Sequence, residues 1–256
     1  MVSTSQRVIT DTSRRAQRAL ARQLLYQRRK ATKLRGHEAE VIQAMQLASQ
    51  RVRRKLEQFR TFTSETRVAE IGSGAHGLIF FFGSTLGVGV DPLVVEYSKL
   101  FPKWQRRVAT VAAVGETLPF PDKSFDVVLC DNVVDHAKSP KTIVAELGRI
   151  LKPAGLLYFT VNVHHPIYSV VSELHSYWNR LGIKYEIRPF ADHTVHLTLQ
   201  QARDLFQAVP IRILLEHAYI SEAKARAART QARHMGDIMK RLFFKNAVYE
   251  LIATRC

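Results

Sequence analysis

The sequence predicts an α/β fold, doubly wound around a mostly parallel seven-stranded sheet, with a helical extension at its N-terminus and a helical insertion before the last strand. Seven short apolar runs follow one another from residue 66 onward, and helix-length segments separate most of them. This alternation is typical of βαβ units whose parallel strands are buried on both faces. A glycine-rich turn directly after the first run indicates a ligand site at the carboxyl edge of that sheet.

The N-terminal extension is predicted to be helical. Residues 12–34 favour a helix, with Asp11 or Thr12 as its N-cap and Gly36 as its end. In residues 37–59, apolar side chains recur at steps of three and four, which indicates a second helix with one apolar stripe. We therefore expect residues 1–60 to be a basic helical cap, and residues 61–256 to be one domain.

The net charge of +16 is concentrated at the two ends of the chain. Residues 1–60 hold 15 Lys or Arg against 4 Asp or Glu, whereas residues 61–219 hold 15 of each. Basic ends suit nucleic acid, an anionic membrane surface or an acidic substrate, and they are also typical of solvated helices. Nucleic acid is not favoured, because the extension lacks aromatic interleaving and any zinc or RNP signature.

Targeting signals are weak in this sequence. No apolar run reaches the length of a membrane span, and the first residues lack the apolar stretch of a secretory signal. Cys130 and Cys256 lie far apart, which predicts no disulfide framework. We expect a cytoplasmic protein, with an Arg-rich transit peptide as the less favoured alternative.

The elements of the domain follow from its apolar periodicity. The predicted strands are RVAEI, LGVGV, VATVAAV, FDVVLC, LLYFTVNV, IRILLEH and NAVYELIAT. Helices are predicted at 93–101, 138–151 and 198–209, and a further helix from Ser221 into the basic insertion 222–245. Residues 152–155, KPAG, are predicted to form a turn.

The stretch VAEIGSGAHG (68–77) raises the question of the cofactor. Its glycines fit G-x-G-x-x-G, and Asp91 follows at the spacing of a ribose-binding acid, as in dinucleotide enzymes. A helix predicted to begin near His76 would offer N–H groups to an anion, either a pyrophosphate or the carboxylate of a methionine-derived methyl donor. Glu70 would repel pyrophosphate but would pair with an ammonium group. This carboxylate favours the methyl donor.

Two longer motifs strengthen that choice. GETLPFPDKSFDVVLCDN (115–132) leads into the fourth strand, and ELGRILKPAGLLYFTV (146–161) supplies a helix, a turn and the fifth strand. Over residues 66–163 the chain resembles the class I S-adenosylmethionine-dependent methyltransferases, in the branch with ExLPFxDxSFDxV and RxLKPGG motifs. The resemblance implies a Rossmann-like fold, S-adenosylmethionine as the cofactor and methyl transfer as the activity. The chain departs from that branch at Val114, where many relatives carry an acid for the adenine amino group, and in KPAG.

The resemblance also implies roles for individual residues. Those implied to bind the cofactor are Glu70, Gly72, Ser73, Gly74, Asp91, Pro92, Leu93, Gly115, Glu116, Asp131 and Asn132. Glu70 and the glycines would hold the amino-acid end, and Asp91 would accept from both ribose hydroxyls. Pro92, Leu93, Gly115 and Glu116 would line the adenine. Asp131 and Asn132 would face the methionine portion and the sulfonium.

Histidines near the strand ends are the candidate general bases. His164 and His165 follow the fifth strand and His136 follows the fourth, at the edge where open α/β sheets bind ligands. His193 and His196 are weaker candidates, because the motifs do not reach them. A metal site that combines these histidines with Asp135 or Asp192 is conceivable, but their spacing does not require it, so we predict none.

The acceptor is predicted to be a small molecule or a glycan-type metabolite, methylated at oxygen. A group of aromatic residues in the region that covers the substrate in this family would suit such an acceptor, or would simply pack a helical lid: Tyr168, Tyr177, Trp178 and Tyr185. Two alternatives stay open. One is an RNA methyltransferase recruited by the basic ends, and the other is a non-catalytic protein that binds the cofactor and a partner. The sequence does not predict the oligomeric state.

Overall fold

The computed structural model describes residues 20–167, 196–229 and 243–256. Its centre is one seven-stranded sheet with the strand order β3-β2-β1-β4-β5-β7-β6. The strands are β1 Val68–Ile71, β2 Gly87–Val90, β3 Ala109–Val111, β4 Phe125–Asp131, β5 Leu151–Val163, β6 Ile211–Ala218 and β7 Ala247–Arg255. The first five are parallel and β7 is antiparallel to both of its neighbours, so the predicted mostly parallel doubly wound α/β sheet is confirmed.

Helices cover the two faces of this sheet. They are α1 at residues 20–34, α2 Glu38–Glu57, α3 Val94–Leu100, α4 Pro102–Gln105, α5 Pro140–Ile150, α6 Leu199–Asp204 and α7 Ile220–Arg229. α5 and α6 contribute to the core on one face, where Leu147 and Ala202 are fully buried. α2, α3 and α4 contribute to the core on the other face, where Leu56, Tyr97 and Trp104 are buried. Both faces are therefore apolar, as continuous hydrophobic strands require.

Helix α2 is joined to the sheet by buried polar contacts as well as by apolar packing. The Ser49 hydroxyl donates to the carbonyl of Leu78 at 2.7 Å. Lys55 Nζ donates to both carboxylate oxygens of Glu250 in β7, at 2.6 and 2.7 Å. Burial alone would raise the pKa of Glu250, but hydrogen bonds from Lys55 and Tyr219 hold that pKa below its ordinary value. The predicted boundary at residue 60 stays a prediction, and α2 itself shares the core of the domain.

Three sequence-based expectations about local structure are wrong. The helix expected to begin near His76 is only a four-residue 3-10 helix, Leu78–Phe81, and not an α-helix. Residues 152–155 do not separate α5 from a later strand, because β5 already begins at Leu151. They bulge out of its ladder with β4, and Ala154 takes a left-handed φ of 57°. α7 begins one residue before Ser221, which therefore lies inside the helix instead of capping it.

Other expectations are confirmed or lie outside the described residues. α1 ends at residue 34, directly before the turn at the predicted Gly36, whose φ of 85° is left-handed. Thr198 forms a capping box with Gln201 at the start of α6. The N-cap at Asp11 or Thr12, the aromatic residues 168–185, Asp192 and His193 lie outside the described ranges. Across those ranges, no helix combines the length and the apolarity needed to cross a membrane.

Candidate functional site

The glycine loop after β1 is fixed by hydrogen bonds on two sides. The N–H groups of Gly72 and Ser73 donate to the carbonyl of Val90 at 2.7 and 3.0 Å, which ties the loop to the end of β2. From α4, Trp104 Nε1 donates to the carbonyl of Ala75 at 2.8 Å, and Gln105 Nε2 donates to the same carbonyl at 3.0 Å. The backbone of the loop is thus held in place before any ligand binds.

Glu70 lies beneath this loop, with its carboxyl group turned away from the open edge. Its Oε1 accepts from the N–H of Leu78 at 3.1 Å, and its Oε2 accepts from the N–H of Ile79 at 2.9 Å. These donors begin the 3-10 turn, where a helix start would otherwise offer its unpaired N–H groups to a ligand anion. The chain's own carboxyl group therefore accepts from two N–H groups that would otherwise be available to a pyrophosphate.

Each glycine of the loop is required for a different physical reason. A Cβ on Gly77 would overlap Glu70 Oε2 and would lie 2.5 Å from the carbonyl oxygen of Ser73. A Cβ on Gly72 would overlap the side chain of Val133. Gly74 has a left-handed φ of 53°, and the nearest atom to a Cβ there would be 3.9 Å away. The space above Gly74 is therefore open, and it can admit a ligand against the backbone.

Ser73 and Asp91 lie on opposite sides of the loop. The Ser73 side chain is buried against Gly89 of β2, so it faces the sheet and not the open edge. Asp91 is half-buried at the end of β2, where its two oxygens accept from the N–H groups of Gly74 at 3.2 Å and of Leu93 at 2.8 Å. Each carboxylate oxygen has a second lone pair, so Asp91 can still accept from ligand hydroxyls. Burial raises its pKa.

At the end of β4, the structure adds a residue that the sequence motifs do not single out. Thr160 of β5 donates from its hydroxyl to Asp131 and accepts from the N–H of Asn132 at 3.0 Å. Asn132 has a left-handed φ of 56°, and its side chain accepts from Asn162. Thr160 and Asn162 therefore fix the two polar side chains at the carboxyl edge of β4. Strand pairing, which sets Asp131 opposite Thr160, is the signal that could have identified Thr160.

The predicted adenine-lining residues are placed unevenly. Pro92 is exposed and Leu93 is half-buried after β2, and Gly115 is half-buried with Ile143 directly beneath it. The Glu116 carboxylate instead accepts from the N–H groups of Lys138 at 3.0 Å and Ser139 at 3.3 Å, at the start of α5. Its side chain therefore supports α5, and its contact with a cofactor stays a prediction.

The candidate histidines occupy different environments. His164 is 1% exposed, its Nδ1 accepts from the N–H of Asn246 at 3.4 Å, and its ring lies 5.0 Å from that of His196. His165 is half-buried, and its ring lies 4.9 Å from that of Phe243. His136 lies in the 3-10 turn after β4. Within the described ranges, no group of three or more His, Cys, Asp or Glu side chains is arranged to hold a metal ion.

Carboxyl groups dominate the electrostatics of this edge. Burial raises the pKa of Glu70 to about 8, and the charges of Asp131 and Asp91 raise it against the effect of its backbone hydrogen bonds. Burial also raises the pKa of Asp131, and the negative charge of Glu250 raises it further. Carboxyl groups with raised pKa values gain from a nearby cation. The arrangement fits the sulfonium and ammonium groups of S-adenosylmethionine and disfavours the two negative charges of a dinucleotide.

The contrast between Gly74 and Gly77 can be tested with alanine. Gly77→Ala should lower the free energy of unfolding by about 2 kcal/mol, since the new Cβ displaces Glu70. Gly74→Ala should cost about 1 kcal/mol for its left-handed φ, and it should weaken S-adenosylhomocysteine binding about tenfold because its methyl group fills the open space. Urea unfolding and calorimetry measure the two effects. Equal losses of stability in both variants would contradict the contrast.

The buried carboxyl group makes stability depend on pH. Since the pKa of Glu70 rises from 4.5 to about 8 on folding, its contribution is complete below pH 4.5 and is lost as the pH rises to 8. Over that window, the free energy of unfolding should fall by on the order of a few kcal/mol relative to Glu70→Gln, which does not titrate. Chemical unfolding across the pH series measures this difference. The exposed Glu65→Gln is the control and should keep the wild-type slope; a Glu70→Gln slope equal to wild type would refute the assignment.

Comparison with known proteins agrees with this geometry. Residues 70–159 match the family model of the methyltransferase domain. An uncharacterised methyltransferase of Bacillus subtilis is 32% identical over 131 residues, which cover 49% of this chain and 51% of that protein. The malonyl-[acyl-carrier protein] O-methyltransferase of Halorhodospira halophila is 27% identical over 132 residues, covering 49% of this chain and 43% of the relative. The chain spans about half the length of the curated relatives it matches.

A solved structure shows the same fold. The geranyl diphosphate C-methyltransferase of Streptomyces coelicolor superposes with a TM-score of 0.57 at 12% identity, covering 78% of this chain and 76% of that one. The strand order, the glycine loop, the carboxyl-rich edge and the matched residues agree with one another. Residues 70–159 match a methyltransferase domain, and the fold is shared with a solved methyltransferase.

Proposed function

We propose that this protein transfers a methyl group from S-adenosylmethionine to an oxygen atom of a small-molecule or glycan-type acceptor. The observation that carries the choice of cofactor is the position of Glu70. Its carboxyl group takes the N–H groups of Leu78 and Ile79, where a dinucleotide would place its pyrophosphate. The remaining space lies above Gly74 and beside Asp91 and Asp131, which favours a cofactor with positive charge.

Different residues at the edge bind different parts of this cofactor. When bound, S-adenosylmethionine supplies a methyl group on a positively charged sulfur, which an acceptor atom can displace in line. Asp91 accepts from the ribose hydroxyls, with the lone pairs that Gly74 and Leu93 leave free. Asp131 and Asn132, held by Thr160, face the methionine portion. Glu70 supports the loop from below, and a bound ammonium group would lower its raised pKa by favouring the ionised carboxylate.

The segments after Asp91 and around Gly115 would contact the adenine ring. Pro92 and Leu93 lie directly after Asp91, where they can pack against a ring held through its ribose. Gly115 lies in the second predicted adenine segment, where a Cβ would meet Ile143 at 3.0 Å and Ile71 at 3.4 Å, so only a residue without a side chain fits there without displacing them. Glu116 lines this segment through its backbone, while its carboxylate holds α5.

His165 is the strongest of the three candidate bases. A hydroxyl acceptor needs a group that removes its proton, and histidine suits that role near neutral pH. His165 is half-buried after β5, whereas His164 is almost completely buried and accepts from Asn246. His136 follows the neighbouring strand and is the third candidate. The name of the Halorhodospira halophila relative, an O-methyltransferase, supports oxygen as the methylated atom.

Titration of the purified protein tests the cofactor. S-adenosylhomocysteine should bind with a Kd in the micromolar range, and NADH should not bind. Asp91→Asn should weaken the binding of S-adenosylhomocysteine by about 10- to 100-fold, because a charged acceptor for two ribose hydroxyls is lost. Calorimetry measures the three affinities.

A matched variant separates the site from the overall charge. Asp122→Asn removes a carboxylate that is 69% exposed and pairs with Arg149, away from the edge, so it should leave the affinity unchanged. Binding of NADH in place of S-adenosylhomocysteine would overturn the choice of cofactor. Binding of neither would overturn the enzyme assignment and favour a protein that acts through its basic helices.

Turnover with extracts tests the acceptor and the base. Methyl transfer from labelled S-adenosylmethionine should persist in a small-molecule extract treated with ribonuclease, and His165→Ala should lower kcat about 100-fold with an unchanged KM for the cofactor. Radiometric assay of the wild type, His164→Ala, His165→Ala and His136→Ala measures this. Transfer that disappears with ribonuclease would identify RNA as the acceptor, and full activity of His165→Ala would exclude His165 as the base.

A further inference from the structure

Helix α1 has one exposed face that combines cations with large apolar side chains. Arg22, Leu25, Tyr26, Arg29 and Lys33 are spaced by three, four and seven residues, so they form one stripe. Leu25 is 51% exposed and Tyr26 is 58% exposed. Scattered apolar side chains are ordinary on protein surfaces, but two neighbours between three cations on one helix face form a continuous patch. We call these five residues the α1 face.

The opposite side of α1 is fixed against the domain, which leaves the α1 face outward. Gln27 is 6% exposed, and Ala31 and Leu34 pack against the core that also contains Leu56 and Trp104. These inward residues follow the same helical spacing, shifted to the other side. The patch is therefore a fixed surface of the folded domain and does not depend on a rearrangement of the helix.

The cations of the α1 face are available to a partner. Arg28, which lies outside the face, pairs with Glu96 at 3.6 Å. In the part of the chain that the structure describes, no acidic side chain lies within ion-pair distance of Arg22, Arg29 or Lys33. The net charge of the protein is +16, so a negatively charged surface is attracted over a distance as well as at contact.

We propose that the α1 face docks this protein onto an anionic lipid membrane. Phosphate groups of the lipids would accept from Arg22, Arg29 and Lys33, while Leu25 and Tyr26 enter the boundary between headgroups and acyl chains. A nucleic acid backbone would satisfy the cations equally well but would leave the aliphatic Leu25 exposed. Tyrosine is a residue that membrane interfaces favour, because its ring is apolar and its hydroxyl is polar.

Docking through this face would bring the cofactor edge close to the membrane. The inner side of α1 contacts the region after β2: Arg28 pairs with Glu96 of α3 at 3.6 Å, and Ala31 and Leu34 pack against the core that contains Tyr97. Burial lowers the pKa of His76 in the glycine loop, and the charge of Lys30 in α1 lowers it further. The domain would thus meet the lipid surface with its glycine loop near the contact. Docking needs no methyl transfer, so this proposal and the proposed reaction fail independently.

Sedimentation with lipid vesicles tests the proposal on the full chain. Wild type should bind vesicles of phosphatidylcholine mixed with phosphatidylserine and should not bind vesicles of phosphatidylcholine alone. The triple variant Arg22→Glu, Arg29→Glu, Lys33→Glu should bind at least about 100-fold more weakly, because each cation near an anionic surface contributes roughly fivefold. The double variant Leu25→Ser, Tyr26→Ser should bind about tenfold more weakly.

A second triple variant with the same change of net charge is the control. Lys141→Glu, Arg212→Glu, Lys224→Glu replaces exposed cations on α5, β6 and α7, and it should bind mixed vesicles within a few-fold of wild type. Thermal unfolding and S-adenosylhomocysteine binding confirm that every variant is folded.

Four outcomes would overturn the proposal. They are no binding of wild type to mixed vesicles, an equal loss in the control triple variant, wild-type binding by the Leu25→Ser, Tyr26→Ser variant, and binding of an RNA oligonucleotide through the α1 face without binding of vesicles. The second outcome would indicate attraction by net charge alone, and the fourth would assign the face to nucleic acid.

Discussion

The carboxyl group of Glu70 is the constraint on which this site depends. It is buried at the end of β1, and it accepts from the N–H groups of Leu78 and Ile79, so the chain turns sharply after the glycine loop. Gly77 must lack a side chain for that approach. A buried carboxyl group without these donors would cost several kcal/mol, so the turn and the acid require each other. Their pairing removes the anion site that a dinucleotide enzyme would keep open.

The loop that Glu70 supports is also held from outside, which makes it a rigid platform. The N–H of Gly74 donates to Asp91, directly after β2, while Trp104 and Gln105 of α4 donate to the carbonyl groups of Ala75 and Gly74. The loop is followed by one 3-10 turn and not by a long helix, so hydrogen bonds from α4 fix the loop backbone in place of a helix start. The ligand-binding geometry therefore exists before the ligand arrives, and little ordering entropy is lost on binding.

The sequence predicted those features that depend on local pattern. Apolar runs and loop glycines located all seven strands and the cofactor edge, because strand burial and backbone approach leave direct traces in residue type. The direction of a side chain leaves no such trace. Glu70 and Glu116 both turn to backbone N–H groups, and Thr160 reaches Asp131 only through strand pairing. The contact between Lys55 and Glu250 joins residues 195 positions apart, which no local spacing encodes.

That last contact changes how the basic extension should be understood. Lys55 pairs with Glu250 of β7, which lies opposite Thr160 of β5, and Thr160 in turn lies opposite Asp131 of β4. Helix α2 therefore affects the charge balance near Asp131. Without Lys55, the charge of Glu250 would lose its buried partner, and its effect of raising the pKa of Asp131 would be stronger. The extension is therefore part of the electrostatic design of the domain. The exposed face of α1 is available to a partner because the opposite side of the helix packs against the core of the domain.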